Sequence, residues 1–205
     1  MQLGQPERGF SFQLDGPLDM RMNQDQLLTA AVFVNDAPVD ELARVFWEFG
    51  GERNSYRLAR SIEQERKFCR IESTRQLAAI AERAIPRMGE KIHPATRMFQ
   101  AIRIQINDEV GQLRAGLNSA WSVLKPGGRL AVISFHSLED RVVKEFGRRL
   151  ARDYSVEGDV DVPELRRPKP AESRWVNKKA IQPDAAEIAE NPRARSAQLR
   201  VMEKL

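Results

Sequence analysis

The passage from Leu124 to Asp140 constrains the fold more than any other part of the chain. A Pro-Gly-Gly turn at 126–128 is followed by the continuous apolar run Leu130 to Ile133, and a helical pattern resumes near 138 and continues to 151. An apolar run of this length between two helical patterns predicts a strand that is buried on both faces. The alternation of helices and strand predicts an α/β sheet.

A helical pattern covers residues 24–101. Pro38 is well placed in the first turn of a helix that ends at Gly50-Gly51. The segment from Ser73 to Gln76 fits a capping box, and it predicts a helix that ends before Pro86. Several short helices of this kind predict a compact all-helical unit.

The two ends of the chain carry other patterns. Residues 1–23 are rich in Gly, Pro and Asp, and they predict an ordered loop held by apolar side chains. The expected anchors are Phe10, Phe12, Leu18 and Met22. Apolar and polar residues alternate from Ser196 to Glu203, which predicts a half-exposed strand with Trp175 to Ile181 as a candidate hairpin partner.

Composition narrows the class of protein. Of the 205 residues, 30% are charged, no apolar run is long enough for a membrane span, and no export signal opens the chain. We therefore expect a cytoplasmic protein without a membrane partner. The lone Cys69 allows no internal disulfide, and His93 and His136 lack the spacing of metal ligands, so we predict no metal site. The net charge of +4 suits a phosphate-bearing partner, although many basic proteins bind no nucleic acid.

Polar residues follow the predicted strand, at the edge where an α/β sheet binds its ligands. They include Ser134, His136 and Asp140. Ser134 and His136 together suggest a hydrolase, but no Gly-x-Ser-x-Gly motif surrounds Ser134, so we disfavour that function. His136 is interpreted either as a polar contact to substrate or as an organiser of this loop.

Arginine clusters supply candidate phosphate contacts. Arg193 and Arg195, which follow Asn191, could clamp a phosphate group or could lie on an ordinary solvated turn. The basic residues between Arg53 and Arg70 could follow an RNA backbone, but interspersed glutamates explain much of that run as helical salt bridges.

Six motifs follow one another along nearly the whole chain. They are Pro6 to Phe12, Asp15 to Met22, Ile102 to Glu109, Leu124 to Arg129, Ser134 to Arg141, and Asn191 to Ala197. In sequence and in order they resemble the RsmH (MraW) family.

The resemblance implies a cytoplasmic enzyme that transfers a methyl group from S-adenosylmethionine to N4 of a cytidine in the decoding region of small-subunit (16S) rRNA. It implies a Rossmann-like methyltransferase domain, of which residues 1–23 and 102–205 form the C-terminal part, with residues 24–101 as an inserted helical substrate-recognition domain. The implied partner is small-subunit rRNA or the 30S ribosomal particle. A homodimer remains an open alternative.

For the implied reaction, candidate residues are chosen by their polarity and location. The candidates for catalysis are Asp19, Ser134, His136 and Asp140, and those for substrate binding are Arg21, Asn107, Asn191, Arg193 and Arg195. Gln2 is the one cofactor contact implied within this chain. Asp15 and Asp19 are equally well explained as caps of turns.

The chain departs from the family pattern in two respects. Members carry a glycine-rich cofactor loop upstream of the first motif, which this sequence lacks, and Asn23 stands where Asp is usual. We therefore expect a shortened and inactive form as one outcome. Two alternatives are a non-catalytic RNA-binding or ribosome-associated fragment, and a shortened reading frame without a role of its own.

Overall fold

The computed structural model describes residues 5–85, 93–157 and 160–205. The chain divides after Glu109 into two compact units. Among the described residues, no helix combines the length and the apolar character needed to cross a membrane.

The first unit is built from helices. They are α1 (Ala30–Asp36), α2 (Val39–Glu48), α3 (Ser55–Arg66), α4 (Thr74–Ala84) and α5 (Pro94–Ile106), after a 3-10 turn at Pro6–Arg8. The predicted capping box is confirmed, because the side chains of Ser73 and Gln76 each accept a hydrogen bond from the other residue's backbone N–H. Pro38 immediately precedes α2, where it costs no helical hydrogen bond.

One apolar core fills this unit. Its largest fully buried side chains include Leu42, Phe46, Leu58, Leu77, Ile80 and Ile102, from α2, α3, α4 and α5. Burying an aliphatic or aromatic side chain of this size contributes about 1.5–3 kcal/mol relative to leaving it exposed. The helices of the first unit therefore share one apolar core, to which Phe10, Leu18 and Met20 of the preceding loop also belong.

The loop that precedes α1 is ordered, but its anchors differ in part from those expected. Phe10 and Leu18 are buried, whereas Met22 is 46% exposed, so its expected role as an anchor is wrong. Met20 is fully buried instead, with a backbone φ of 60°. The sequence pattern did not indicate whether Met20 or Met22 would be buried. The positive φ of Met20 turns the chain between Leu18 and Met22, and this turn is not visible in the sequence.

The second unit combines two long helices with a small sheet. Its elements are α6 (Glu109–Val123), β1 (Arg129–Ser134), α7 (Ser137–Ala151), β2 (Tyr154–Val156), β3 (Arg166–Pro168), β4 (Ser173–Trp175), α8 (Ala185–Glu190) and β5 (Gln198–Lys204). Further 3-10 turns lie at Pro163–Leu165 and Pro192–Ser196. β5 lies between β1 and β4 and is antiparallel to both, and β2 pairs with β3.

The expected pairing of the last strand is confirmed. Trp175 lies opposite Met202, and Ile181 forms an isolated bridge with Leu199. Glu203 joins all three strands, since its carboxylate accepts hydrogen bonds from Arg129 of β1 at 2.9 Å and from Arg174 of β4 at 2.5 Å.

β1 is a strand, as predicted, but it is not buried on both faces within the described chain. Leu130 and Val132 pack against the core that includes Val143 and Phe146 of α7. On the other face, Ile133 is 59% exposed. In the described sheet β1 pairs on one side only and a helix covers one face, so its side chains alternate between core and solvent.

Two leucines of the first unit provide a test of the core. Leu58 is fully buried, whereas Leu27 is 92% exposed. We expect Leu58→Ala to lower the free energy of unfolding by about 2–5 kcal/mol, because it removes buried methyl groups and leaves a cavity. Leu27→Ala should change it by less than about 0.5 kcal/mol. Urea unfolding followed by circular dichroism measures both, and similar losses at the two positions would contradict this core.

Candidate functional site

In the first unit, Asn107 holds the loop that contains Asp19 and Arg21. Its Nδ2 donates hydrogen bonds to the carbonyls of Met20 at 2.8 Å and Arg103 at 2.9 Å, and its Oδ1 accepts one from the N–H of Met22 at 2.7 Å. These bonds fix both sides of Met20, whose left-handed backbone costs about 1–3 kcal/mol for a residue other than glycine. Asn107 therefore joins the end of α5 to a strained loop.

Arg21 uses its guanidinium within the same loop. Nε and Nη2 each lie 2.8 Å from an Asp19 carboxylate oxygen, and Nη1 donates to the carbonyls of Gln24 at 2.8 Å and Gln26 at 2.7 Å. Arg8 donates to the carbonyl of Arg21 at 2.7 Å. The predicted residues Asp19, Arg21 and Asn107 thus come together as one hydrogen-bonded loop.

Asp19 is held in its ionised form. The hydrogen bond from Arg21 lowers the pKa of the Asp19 carboxyl below its ordinary value, and this outweighs the opposing effect of partial burial. A carboxylate already paired with a guanidinium is a weak proton acceptor. Its geometry is that of a group that fixes the loop.

In the second unit, His136 caps α7. Its Nδ1 accepts a hydrogen bond from the N–H of Glu139 at 3.4 Å, while Glu139 Oε2 accepts one from the N–H of Phe135 at 2.8 Å. His136 Nε2 is buried and lies 3.1 Å from Glu139 Oε1, but the geometry does not make a hydrogen bond. Of the two interpretations of His136, these contacts favour the organiser of the loop.

Glu139 is ionised despite its position. Burial is the largest influence on its pKa and raises it, but the contact with the His136 side chain and the hydrogen bond from the Phe135 N–H together lower the pKa of Glu139 below its ordinary value. Ser134 is 3% exposed, and its hydroxyl donates to the carbonyl of Gln198 at 3.5 Å. The Ser134 hydroxyl and the His136 ring thus have different partners in the described chain.

Asp140 forms a buried ion pair with Arg200 of β5. Arg200 Nε lies 2.6 Å from one carboxylate oxygen, and Nη2 lies 3.2 Å from the other. Lys144, one helical turn further along α7, lies 3.2 Å from the same carboxylate. The side chains of Asp140 and Arg200 are 7% and 12% exposed. Burial opposes ionisation most strongly, but Arg200 and Lys144 lower the pKa of Asp140 below its ordinary value.

The remaining predicted residues are Asn191, Arg193, Arg195 and Gln2. Asn191 caps the turn Pro192–Ser196, and its Oδ1 accepts a hydrogen bond from the N–H of Arg193 at 3.3 Å. Arg193 and Arg195 are both exposed on that turn. Gln2, the implied cofactor contact, lies outside the described residues.

The described residues do not show a site that fits S-adenosylmethionine. At the end of β1, where an α/β sheet would bind a ligand, the side chains of Ser134, His136 and Glu139 are engaged with the protein itself. A cofactor pocket needs polar groups directed toward its ligand. No step of a reaction can therefore be derived through the cofactor from these residues.

The sequence analysis did not predict that Lys144 and Arg200 pair with Asp140. The pairing with Lys144 was predictable, because Lys144 lies four residues after Asp140 on one helix. The pairing with Arg200 was not, since Arg200 lies 60 residues away and only the fold brings it to α7. The basic pair Lys178-Lys179 after Trp175 was also overlooked, although its sequence was visible.

Comparison with known proteins decides the family. The chain matches the MraW methylase family over residues 1–205. It belongs to that family. The family resemblance found in the sequence motifs is therefore confirmed.

Three curated relatives match this MraW-family chain over nearly its whole length. It is 48% identical over 206 residues to ribosomal RNA small subunit methyltransferase H of Chlorobaculum parvum, covering 100% of this chain and 64% of that protein. It is 49% identical to the protein of the same name from Paramagnetospirillum magneticum, covering 98% and 63%, and 50% identical to that of Legionella pneumophila strain Paris, covering 100% and 65%. The chain thus spans just under two thirds of the length of these relatives.

Replacing Asn107 with Ala should loosen the loop around Met20. We expect a loss of about 0.5–1.5 kcal/mol in unfolding free energy, because partly buried backbone groups lose hydrogen bonds, together with faster exchange of the Met22 amide hydrogen. Asn107→Asp keeps the acceptor for Met22 and should protect that amide better than Ala does. Hydrogen exchange measured by NMR checks this, with the exposed Asn177→Ala as control. Unchanged exchange at Met22 in Asn107→Ala would be incompatible with the anchoring role.

Replacing Asp140 with Asn should destabilise the second unit in a pH-dependent way. Near neutral pH we expect a loss of about 3 kcal/mol, because Arg200 stays buried without its counter-charge. A carboxyl with a lowered folded pKa stabilises the fold above its unfolded pKa of about 3.9, and this contribution is lost as pH falls through the folded value. The difference between wild type and variant should therefore shrink below about pH 4.

Urea unfolding followed by tryptophan fluorescence measures this difference, since Trp121 and Trp175 both lie in the second unit. Asp153→Asn, at an exposed position of the same unit, is the matched control. A difference in unfolding free energy between wild type and Asp140→Asn that stays constant from pH 7 to pH 3 would refute the ion pair with Arg200.

Proposed function

We propose that the protein is a methyltransferase that uses S-adenosylmethionine to methylate N4 of a cytidine in the decoding region of small-subunit rRNA. The observation that carries this proposal is the family match over residues 1–205, together with relatives of 48–50% identity that are named small-subunit rRNA methyltransferases. The substrate is the rRNA itself or the 30S particle, and we assign the reaction to the cytoplasm.

We further propose a division of labour between parts of the chain. Residues 24–101 form a helical substrate-recognition insertion, and residues 1–23 with 102–205 belong to a Rossmann-like methyltransferase domain. The helical core of the first unit supports a helical insertion, but the loop residues Phe10, Leu18 and Met20 pack into that same core and the compact units divide after Glu109.

The candidate site residues act mainly by positioning. Transfer to a cytosine amine depends on holding the base in line with the methyl donor, and such positioning supplies most of the rate enhancement. Asn107 and the Asp19–Arg21 pair fix one loop, and His136 fixes another through its cap on α7. Asp140 acts through Arg200.

Substrate binding is assigned to exposed groups. Arg193 and Arg195 lie on a turn that solvent reaches, where they are able to contact phosphate groups. Arg21 and Asn107 contribute indirectly, because their own polar atoms are bonded within the loop.

A second candidate function is non-catalytic binding of RNA. It is favoured by one observation: in the described chain, the polar side chains at the end of β1 are bonded to the protein itself. Both candidates share an RNA partner, so methyl transfer distinguishes them.

The direct test is incubation of the purified protein with S-adenosylmethionine carrying an isotope-labelled methyl group and with small-subunit particles that lack this modification. We expect nucleoside analysis by mass spectrometry to find label in N4-methylcytidine at one position of the decoding region. Label on a ring carbon or a ribose oxygen would contradict the proposed specificity. RNA binding without any incorporation would instead establish the non-catalytic function.

A further inference from the structure

An open basic pocket lies in the second unit, between α7, the segment that follows β4, and β5. Its volume is about 460 Å³. Its lining includes five cations and one indole: Lys144, Arg148, Lys178, Lys179, Arg200 and Trp175. Neutral side chains complete the lining, and none of the described residues that line it is acidic. We call this the basic pocket.

The charge of the basic pocket is only partly balanced by the protein. Asp140 neutralises one charge by pairing with Arg200 and Lys144. The other three cations, at positions 148, 178 and 179, are exposed, and the described contacts give their side chains no hydrogen bond or ion pair. Three like charges that converge on one concave surface repel each other and attract an anion.

Other exposed arginines of the same unit behave differently. Arg166 lies 2.7 Å from Asp161, and Arg167 lies 3.0 Å from Glu157. Arg152 also lies within 3.6 Å of Asp161. These cations have acidic partners on the protein surface, whereas the basic pocket brings three cations without a described partner to one concave surface.

The wall of the basic pocket is rigid. Trp175 is half-buried, and its backbone pairs with Met202 of β5. Its indole lies directly against α7 at Gly147, where an added Cβ would fall only 2.2 Å from the ring. The Arg200 guanidinium lies 6.0 Å from the centre of the indole ring and is held by Asp140. Packing and the ion pair therefore fix this wall, and the exposed Lys178 and Lys179 complete the lining.

We propose that the basic pocket binds phosphate groups of the RNA backbone. This inference rests on the proposed function, which makes RNA the substrate. Lysines on flexible stems and unpaired arginines recognise phosphates without regard to base sequence, and such contacts fix the position of a nucleic acid on a protein. The pocket thus helps to hold the RNA in register for methylation of one cytidine.

The test compares two variants with the same loss of charge. Arg148→Gln/Lys178→Gln/Lys179→Gln removes the three unpaired cations. Arg114→Gln/Lys125→Gln/Arg167→Gln removes three exposed cations of the same unit that lie outside the basic pocket. All six positions are exposed, so both variants should fold, which circular dichroism checks.

Binding is measured by fluorescence anisotropy with a labelled fragment of the rRNA decoding region over a series of salt concentrations. Each lost phosphate contact should reduce the slope of log K against log salt by about 0.7–0.9. The pocket variant should therefore lose about two to three units of slope and, near 0.1 M salt, roughly 100-fold in affinity. The control variant should stay close to wild type. In the transfer assay, the pocket variant should raise KM for RNA and leave kcat unchanged.

Three outcomes overturn the inference. Equal RNA binding by the pocket and control variants would show that the basic pocket is not part of the RNA interface. The proposed function would remain intact. Displacement of the RNA by polyglutamate at equal charge concentration would assign the pocket to an acidic polypeptide. Lack of RNA binding by the wild-type chain would contradict the proposed function itself, and with it the inference.

Discussion

The buried pair between Asp140 and Arg200 is the interaction on which the second unit depends. It joins the first turn of α7 to the middle of β5, and it orients Arg200 over the indole of Trp175. Burying two charges is costly, and the cost is offset only because both carboxylate oxygens accept hydrogen bonds and Lys144 adds a further contact. By holding Arg200 in place, the pair fixes one wall of the basic pocket.

In the first unit, a neutral side chain holds an energetically costly backbone conformation. Asn107 donates two hydrogen bonds and accepts one, and it thereby holds a loop with a strained backbone at Met20. In both units the polar groups that the sequence suggested as catalytic are bonded to the protein. Under the proposed function these groups fix loops, and contact with phosphate falls to the exposed Arg148, Lys178 and Lys179.

Local signals predicted much of this structure. The cap at Ser73 and the strand after the Pro-Gly-Gly turn both follow from short-range chemistry, and both are observed. The exposed face of β1 was not predicted, because burial depends on which neighbours a strand has. The pairing of Asp140 with Arg200 was equally invisible, since residues so far apart in sequence meet only when β5 docks beside β1. Recognition of the family came from ordered motifs, which carry more information than any single residue.

The central claim is that the protein binds small-subunit rRNA and contacts it through the basic pocket. Ultraviolet cross-linking of the protein to small-subunit rRNA, followed by mass spectrometry of the linked peptides, tests that claim most directly. We expect cross-links on the peptide that contains Trp175, Lys178 and Lys179, and on the peptide from α7 around Arg148. Cross-links confined to the helices of the first unit, with none on these two peptides, would contradict the account.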